Sequence, residues 1–145
     1  MRCDKDPYVR NGRTYPVAEI LPLLLDPSRQ RHVLLDGDSV SMRSSRLETF
    51  VRSVRCACCG ITGMFFVKER HRLARGQDAR LFHLNLYALD KDGNEILMTS
   101  DHIVPRSKAK GLRNNRQTMC ERCNRAKGNR EISNEALAME LEVDR

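Results

Sequence analysis

Two pairs of cysteines with metal-binding spacing stand far apart in this sequence of 145 residues. Cys56 and Cys59 form the first pair, and Cys120 and Cys123 form the second. The C-x-x-C spacing lets one tight turn present two thiolates, and two such turns complete the tetrahedral site that Zn²⁺ prefers. Gly60 suits the backbone turn that follows the second sulfur. We therefore predict one structural zinc ion that links two distant segments of the chain.

The cysteines also permit other interpretations. Cys58 is an alternative ligand, although it would break the spacing from Cys56, and Cys3 stands alone and is interpreted as a free thiol. Buried thiols without a metal and a redox C-x-x-C compete with zinc, but no thioredoxin-like βαβ pattern surrounds either pair. The chain begins without the apolar segment of a signal peptide, so we expect a cytoplasmic protein whose cysteines bind metal rather than form disulfides.

A carboxylate and an imidazole are adjacent at Asp101 and His102. A neutral imidazole could take a proton from water, and the carboxylate could hold a hard divalent cation that stabilises a pentacovalent phosphate. Asn124 is the natural second ligand, because it directly follows Cys123 on the first turn of a predicted helix. Neighbouring side chains on a strand point apart, so a bend before Pro105 is needed to bring Asp101 and His102 together. A surface turn without chemistry is the alternative interpretation.

The charge of the chain favours an anionic partner. Lys and Arg total 26 against 19 for Asp and Glu, which gives a net charge of +7. Aromatic residues make up only 5% and Trp is absent, so phosphate contact is favoured over base stacking. No apolar run approaches the roughly 18 residues of a membrane span. The alternative is a solvated basic surface. The candidate nucleic-acid contacts are Arg122, Arg125, Lys127 and Arg130 on and after a helix, and Arg106 and Lys108 in a loop.

The pattern of apolar and turn residues predicts an α+β fold. The turn signal at 91–94 separates two strands of one hairpin, and a basic segment at 107–114 is predicted to be a loop. We predict helices at 17–25, 45–54, 121–129 and 134–143, and strands at 32–35, 40–42, 64–67, 81–89 and 95–102. A boundary is expected near Val54. Residues 1–55 would form an N-terminal appendage with a helix and a hairpin, for docking DNA or a partner, and residues 56–145 would form the functional domain.

Residues 56–130 resemble the HNH endonuclease family. The resemblance depends on C-A-C-C-G, on D-H-I-V-P-R-S, and on N-R-Q-T-M-C-E-R-C-N-R-A-K-G-N. It implies a ββα-metal (His-Me finger) core with two zinc knuckles, flanked by the N-terminal segment and a C-terminal helix. The stretch before Asp101 is similar to the version found in bacteriophage-encoded HNH proteins, for which the location would be the host cytoplasm.

The resemblance also implies a role for each motif position. His102 would be the general base, Asp101 a ligand of the catalytic cation, and Asn115 the residue that braces the loop and orients the base. The third motif position is often His, whereas this chain has Asn124, which makes it an H-N-N variant. Because Asn is a neutral oxygen ligand, we expect Mg²⁺ or Mn²⁺ as the catalytic ion beside the structural Zn²⁺.

These expectations lead to one leading hypothesis and two competitors. The leading hypothesis is a metal-dependent HNH endonuclease that nicks or cuts DNA. The competitors are a zinc-knuckle module that binds DNA without catalysis, and a nuclease subunit of a larger phage complex. A homodimer or a phage protein partner is compatible with each of them, and none involves a membrane.

Overall fold

The computed structural model of this protein describes residues 7–105, 108, 111 and 114–142. This part of the chain is an α+β structure, as predicted. It contains β1 (Tyr8–Pro16), α1 (Val17–Leu25), β2 (His32–Leu35), β3 (Asp38–Ser41), α2 (Ser45–Arg52), β4 (Phe65–His71), a 3-10 turn (Gly76–Ala79), β5 (Leu81–Leu89), β6 (Glu95–His102), β7 (Arg116–Cys120), α3 (Glu121–Lys127) and α4 (Asn134–Glu140).

The strands form one sheet in the order β1-β4-β5-β3-β2, to which β6 is added next to β5 and β7 next to β6. All pairs are antiparallel except β3 with β5. β1 and β3, which precede Val54, therefore hydrogen-bond directly to strands that follow it. The buried core likewise joins Tyr15 and Phe50 to Leu86 and Met119. Strands and core side chains from both sides of the expected boundary thus form one structural unit.

β6, β7 and α3 form a hairpin followed by a helix. The hairpin register places Asp101 opposite Gln117 and His102 opposite Arg116. Cys120 is the last residue of β7 and also the residue that caps α3, so the helix starts without an intervening loop. Gly128 ends α3 with a φ of +59°, a left-handed conformation that favours glycine, two residues earlier than predicted. This unit is the ββα arrangement that the resemblance implied.

Two strands were missing from the sequence prediction. β1 is largely polar and is stabilised by pairing with β4, across an irregularity between Asn11 and Tyr15. β7 is only five residues long and mixes polar and apolar side chains. Their strand conformation depends on distant partners, which local periodicity does not report. Of the predicted loop at 107–114, only residues 108, 111 and 114 are among those described.

In the part of the chain that the structure describes, no helix combines the length and the apolar character needed to cross a membrane.

Candidate functional site

The four predicted zinc ligands come together at the junction of the first knuckle and the hairpin. The Sγ atoms of Cys56, Cys59, Cys120 and Cys123 all lie within 4.8 Å of one another. The sulfurs of Cys59 and Cys120 are 3.8 Å apart. Four sulfurs placed about 2.3 Å from a zinc ion at tetrahedral angles are about 3.8 Å apart, whereas a disulfide needs about 2.05 Å. The cluster therefore fits a structural zinc ion.

Backbone hydrogen bonds hold the first pair of ligands against the hairpin. Gly60 N donates to Cys56 O at 3.0 Å, and the φ of +82° at Gly60 permits this tight turn. Ala57 N donates to Thr118 O at 2.9 Å, which attaches the knuckle to β7. Cys58 is fully buried but lies outside the four-sulfur group. Cys3 lies outside the described residues.

Without a cation, the contacts among the four thiols lower the pKa of Cys56 and Cys59 and raise the pKa of Cys120 and Cys123. Hydrogen bonds from Cys120 and then Cys123 lower the pKa of Cys59 to about 6. The same two neighbours, followed by Cys59, strongly lower the pKa of Cys56. A thiolate is the form of cysteine that binds zinc, so zinc binding at this cluster would displace the protons that Cys120 and Cys123 retain without a metal.

Asp101 is held in a nearly buried position near the end of β6, with 8% of its surface exposed. Its Oδ2 accepts hydrogen bonds from Lys127 Nζ at 2.6 Å and from Gln117 Nε2 at 3.2 Å. Both donors use the same oxygen, and they fix the orientation of the carboxylate. Among the described residues, no hydrogen bond to Oδ1 is seen. Oδ1 is therefore the oxygen that remains for a cation.

Lys127 lies in a position that does not fit the predicted phosphate contact. Its residue surface is only 2% exposed. Besides Asp101, its ammonium group donates to the backbone oxygens of His102 at 2.6 Å and of Ile103 at 3.3 Å. The three ammonium hydrogens are thus matched by three acceptors at the end of β6. Lys127 holds this end of the strand against α3 instead of facing solvent.

Asn124 is also oriented by the hairpin. Its Nδ2 donates to Thr99 Oγ1 at 2.8 Å, and the Thr99 hydroxyl donates to Met119 O at 2.6 Å. Because the amide nitrogen is used in this way, the amide oxygen is the atom with which Asn124 would bind the predicted cation. Among the described residues, Asp101 and Asn124 each have one side-chain oxygen without a hydrogen-bond donor, and both residues line the same cleft.

The cleft that contains these residues has a volume of about 370 Å³. It is lined by Ser100, Asp101, His102, Pro105, Asn124, Lys127 and residues 128–130. His102 is half-buried at this position. The predicted base and the two predicted cation ligands therefore line one cavity, although Asp101 and His102 are neighbours on a strand.

Asn115 clamps the segment that follows His102. Its Oδ1 accepts from Val104 N at 2.8 Å, and its Nδ2 donates to Val104 O at 2.9 Å. Its backbone oxygen also accepts from Ile103 N at 3.1 Å. These three bonds tie the chain directly after His102 to the chain directly before β7. They are the contacts expected of a residue that braces the loop.

Four of the other predicted nucleic-acid contacts lie on the surface, and each of these four is paired with a carboxylate. Arg122 bonds to Asp90 at 3.0 Å, Arg125 bonds to Glu121, and Arg130 bonds to Glu140 at 2.9 Å. Lys108 lies 3.4 Å from Glu131. These partners partly neutralise the basic charge on this side of the molecule. Arg106 lies outside the described residues.

Two residues that position the site were not recognised from the sequence as having this role. Lys127 follows Cys123 by four positions and Asn124 by three, which places all three on one face of α3. Because Cys123 and Asn124 were expected to face the hairpin, this spacing is a signal that Lys127 does so too. Gln117 could have been recognised from its position two residues after Asn115, at the start of β7.

Comparison with known protein families assigns residues 90–130 to the HNH endonuclease family. The matched segment contains β6, β7 and α3, and therefore the whole hairpin and helix described above. The family predicted from the sequence is thus confirmed for this segment. The matched family is described as one of endonucleases. Comparison with curated proteins and with solved structures gave no significant match.

Proposed function

We propose that this chain is a metal-dependent HNH endonuclease that hydrolyses phosphodiester bonds of DNA, by nicking or by double-strand cleavage. The observation that carries the proposal is the placement of Asp101, His102 and Asn124 in one cleft beside a four-cysteine cluster. A divalent cation, Mg²⁺ or Mn²⁺, would be held by Asp101 Oδ1 and the amide oxygen of Asn124. When bound, this cation supplies charge stabilisation for the phosphate and for the leaving 3′ oxygen.

The other proposed roles belong to side chains of the protein itself. His102, as a neutral imidazole, takes the proton from the attacking water. Asn115 fixes the segment after His102 through Val104, so the imidazole stays in place relative to the strand. Lys127 and Gln117 orient Asp101 through Oδ2. The cysteine cluster joins the first knuckle to α3, which places Asn124.

One observation favours a second candidate, a zinc-knuckle module that binds DNA without cutting it. The ammonium of Lys127 lies 2.6 Å from Asp101 and offsets its negative charge. Asn124 is neutral, so the protein alone offers a cation little net charge. If the site never acquires a divalent cation, even with DNA bound, the fold and the zinc cluster would remain and the chemistry would be lost.

The test is cleavage of supercoiled plasmid by zinc-loaded protein with Mg²⁺ or Mn²⁺, and with EDTA as the metal-free control. The nuclease is expected to cut the plasmid, and His102→Ala should lower the rate by roughly 10²–10⁴-fold, the usual contribution of a general base. His32→Ala is the matched control, because His32 is exposed on β2 at the other edge of the sheet.

Two results test the assignments, and a third measurement is a control of the zinc site. Equal rates for His102→Ala and the wild type would show that the base is elsewhere. Binding of DNA without cleavage under every cation condition would favour the binding module. Zinc content should be unchanged in His102→Ala, since His102 is not part of the four-sulfur group.

A further inference from the structure

The hairpin is covered by different helices on its two faces. α3 contacts the face that carries Thr99 and Asp101, through Asn124 and Lys127. Consecutive residues of a strand point to opposite faces. α2 contacts the other face, where Thr49 Oγ1 lies 2.8 Å from Ser100 Oγ and Thr118 Oγ1 donates to Ser53 O. The proposed cation ligands and α2 therefore lie on opposite sides of the hairpin.

A groove of about 300 Å³ lies on the α2 side. It runs between the end of α2, the first cysteine knuckle and β7. Three arginines line it, and we name it the arginine groove after Arg52, Arg55 and Arg116. Arg52 and Arg55 are exposed, and Arg116 is half-buried.

The three guanidinium groups bond only to neutral acceptors in the described part of the chain. Arg52 donates to Asn114 Oδ1 at 3.1 Å and to Arg116 O at 3.4 Å. Arg55 donates to Gly60 O at 3.2 Å, and Arg116 donates to Ser100 Oγ at 3.4 Å. No ion pair with a carboxylate of the described residues involves any of them. This contrasts with the arginines on and after α3, each of which is paired with an acidic side chain. The three arginines of the groove therefore carry positive charge that no carboxylate of the described residues offsets.

Arg116 and Ser100 link the groove to the cleft that contains the proposed general base. Arg116 lies opposite His102 in the β6–β7 register. Residues directly opposite each other in an antiparallel pair project to the same face of the sheet. Arg116 thus connects the two exposed arginines at the end of α2 to the edge of the cleft that contains His102. The Arg116 guanidinium also donates to Ser100 Oγ at 3.4 Å, and Ser100 lines that cleft, so the groove and the cleft meet at this pair of side chains.

We propose that the arginine groove binds the phosphodiester backbone of duplex DNA next to the phosphate that is cleaved. The proposal rests on the proposed nuclease function, since that function makes duplex DNA the polyanion. Guanidinium groups bind phosphate oxygens in a bidentate manner, and such contacts position a duplex without reading its sequence. Arg52 and Arg55 precede residues 90–130, so this surface gives the N-terminal part of the chain a role in substrate binding.

The test compares two double variants with the same loss of charge. Arg52→Gln/Arg55→Gln changes the groove, and Arg31→Gln/Arg80→Gln removes two exposed arginines that lie just before β2 and β5. Both are made in His102→Ala protein, so that DNA stays intact. Binding of a fluorescent duplex of about 25 base pairs is measured as a function of salt, with zinc content and circular dichroism as controls of folding.

Each lost phosphate contact is expected to reduce the slope of log K against log salt by about 0.9. The groove variant should therefore lose about 1.8 units of slope and bind about 60-fold more weakly at 0.1 M salt, where 10 to the power 1.8 is about 63. The control variant should stay close to the parent. Equal DNA affinity of the two double variants would contradict the proposal that the arginine groove binds duplex DNA. Tighter binding of single-stranded RNA than of duplex DNA would contradict it as well.

Failure of the groove can be distinguished from failure of the nuclease proposal. If wild-type protein cuts plasmid but the groove variant binds DNA as tightly as the control variant, the nuclease proposal holds and the proposed role of the arginine groove is wrong. If wild-type protein never cuts plasmid but the groove variant selectively loses affinity, the groove stands and the catalytic proposal is wrong.

Discussion

Replacement of Lys127 by methionine tests whether this lysine supports the site or contacts DNA. The substitution keeps the length of the side chain but removes the ammonium. It leaves Asp101, which is only 8% exposed, without its charged partner. It also leaves the backbone oxygens of His102 and Ile103 without the donor that holds them.

The expected cost is large relative to the stability of a small domain. Removing one partner of a buried ion pair typically costs about 3–5 kcal/mol, because the other charge remains buried and unpaired. Domains of this size are stable by about 5–15 kcal/mol in total. With roughly 2–4 °C of melting temperature per kcal/mol, the melting temperature should fall by about 6–20 °C.

Lys108→Met is the matched control. Its ion pair with Glu131 is exposed on both sides, 65% and 56%, and spans 3.4 Å. An exposed pair of this kind contributes at most about 1 kcal/mol. The two single variants therefore remove the same group from very different environments.

Urea unfolding in the presence of zinc, followed by circular dichroism, measures the difference. The double variant Asp101→Asn/Lys127→Met removes both charges and should recover much of the stability lost in the single variant. The assignment would be refuted if Lys127→Met were as stable as Lys108→Met. A loss of DNA affinity in Lys127→Met without a loss of stability would restore the phosphate contact predicted from the sequence.

Two further predictions concern the knuckles and the turn before β6. Cys120→Ser should lose the zinc ion and unfold or aggregate, because the sulfur of Cys120 belongs to the cluster that joins β7 to the first knuckle. A folded variant in which elemental analysis finds one zinc per chain would contradict this prediction. The carboxyl group of Asp90 should titrate with a pKa of about 2, because it accepts first from the backbone of Asn94, and also from Arg122 and Asp92. Since this pKa lies below the ordinary value, the stabilisation is complete above about pH 4 and is lost as the pH falls through about 2. NMR titration measures this directly, and a midpoint near the ordinary value of about 3.9 would show that the turn is not held in this way.

The features that were predictable from the sequence depend on short-range patterns. The C-x-x-C pairs fixed the ligands of the cysteine cluster, because two thiols on a tight turn point to one site. The turn at 91–94 fixed the β5–β6 hairpin, whose strands have the predicted bounds. The apolar segment at 17–25 is a helix with the predicted bounds even though it contains Pro22.

The features that were not predictable depend on contacts between distant residues. The attachment of β1 to β4, and of β3 to β5, has no local signature, so the expected boundary near Val54 does not appear in the sheet. Lys127 was interpreted as a surface charge because lysine is rarely buried. Its burial follows from the position of α3 on the hairpin, which places three acceptors around its ammonium.

The charge of the proposed cation site determines how a cation and DNA would bind to it. Asp101 contributes one negative charge, Lys127 offsets it, and Asn124 contributes none. Mg²⁺ loses its hydration shell reluctantly and is usually held by one or two carboxylates together with substrate phosphates. In the proposed nuclease, the phosphate of the DNA therefore supplies the negative charge that the protein lacks. The arginine groove would bring that phosphate to the cleft, so bound DNA would raise the affinity of the protein for the cation. By thermodynamic reciprocity, the bound cation would raise the affinity of the protein for DNA by the same factor. A lysine that stabilises the fold at Asp101 would then also make cation binding depend on the substrate.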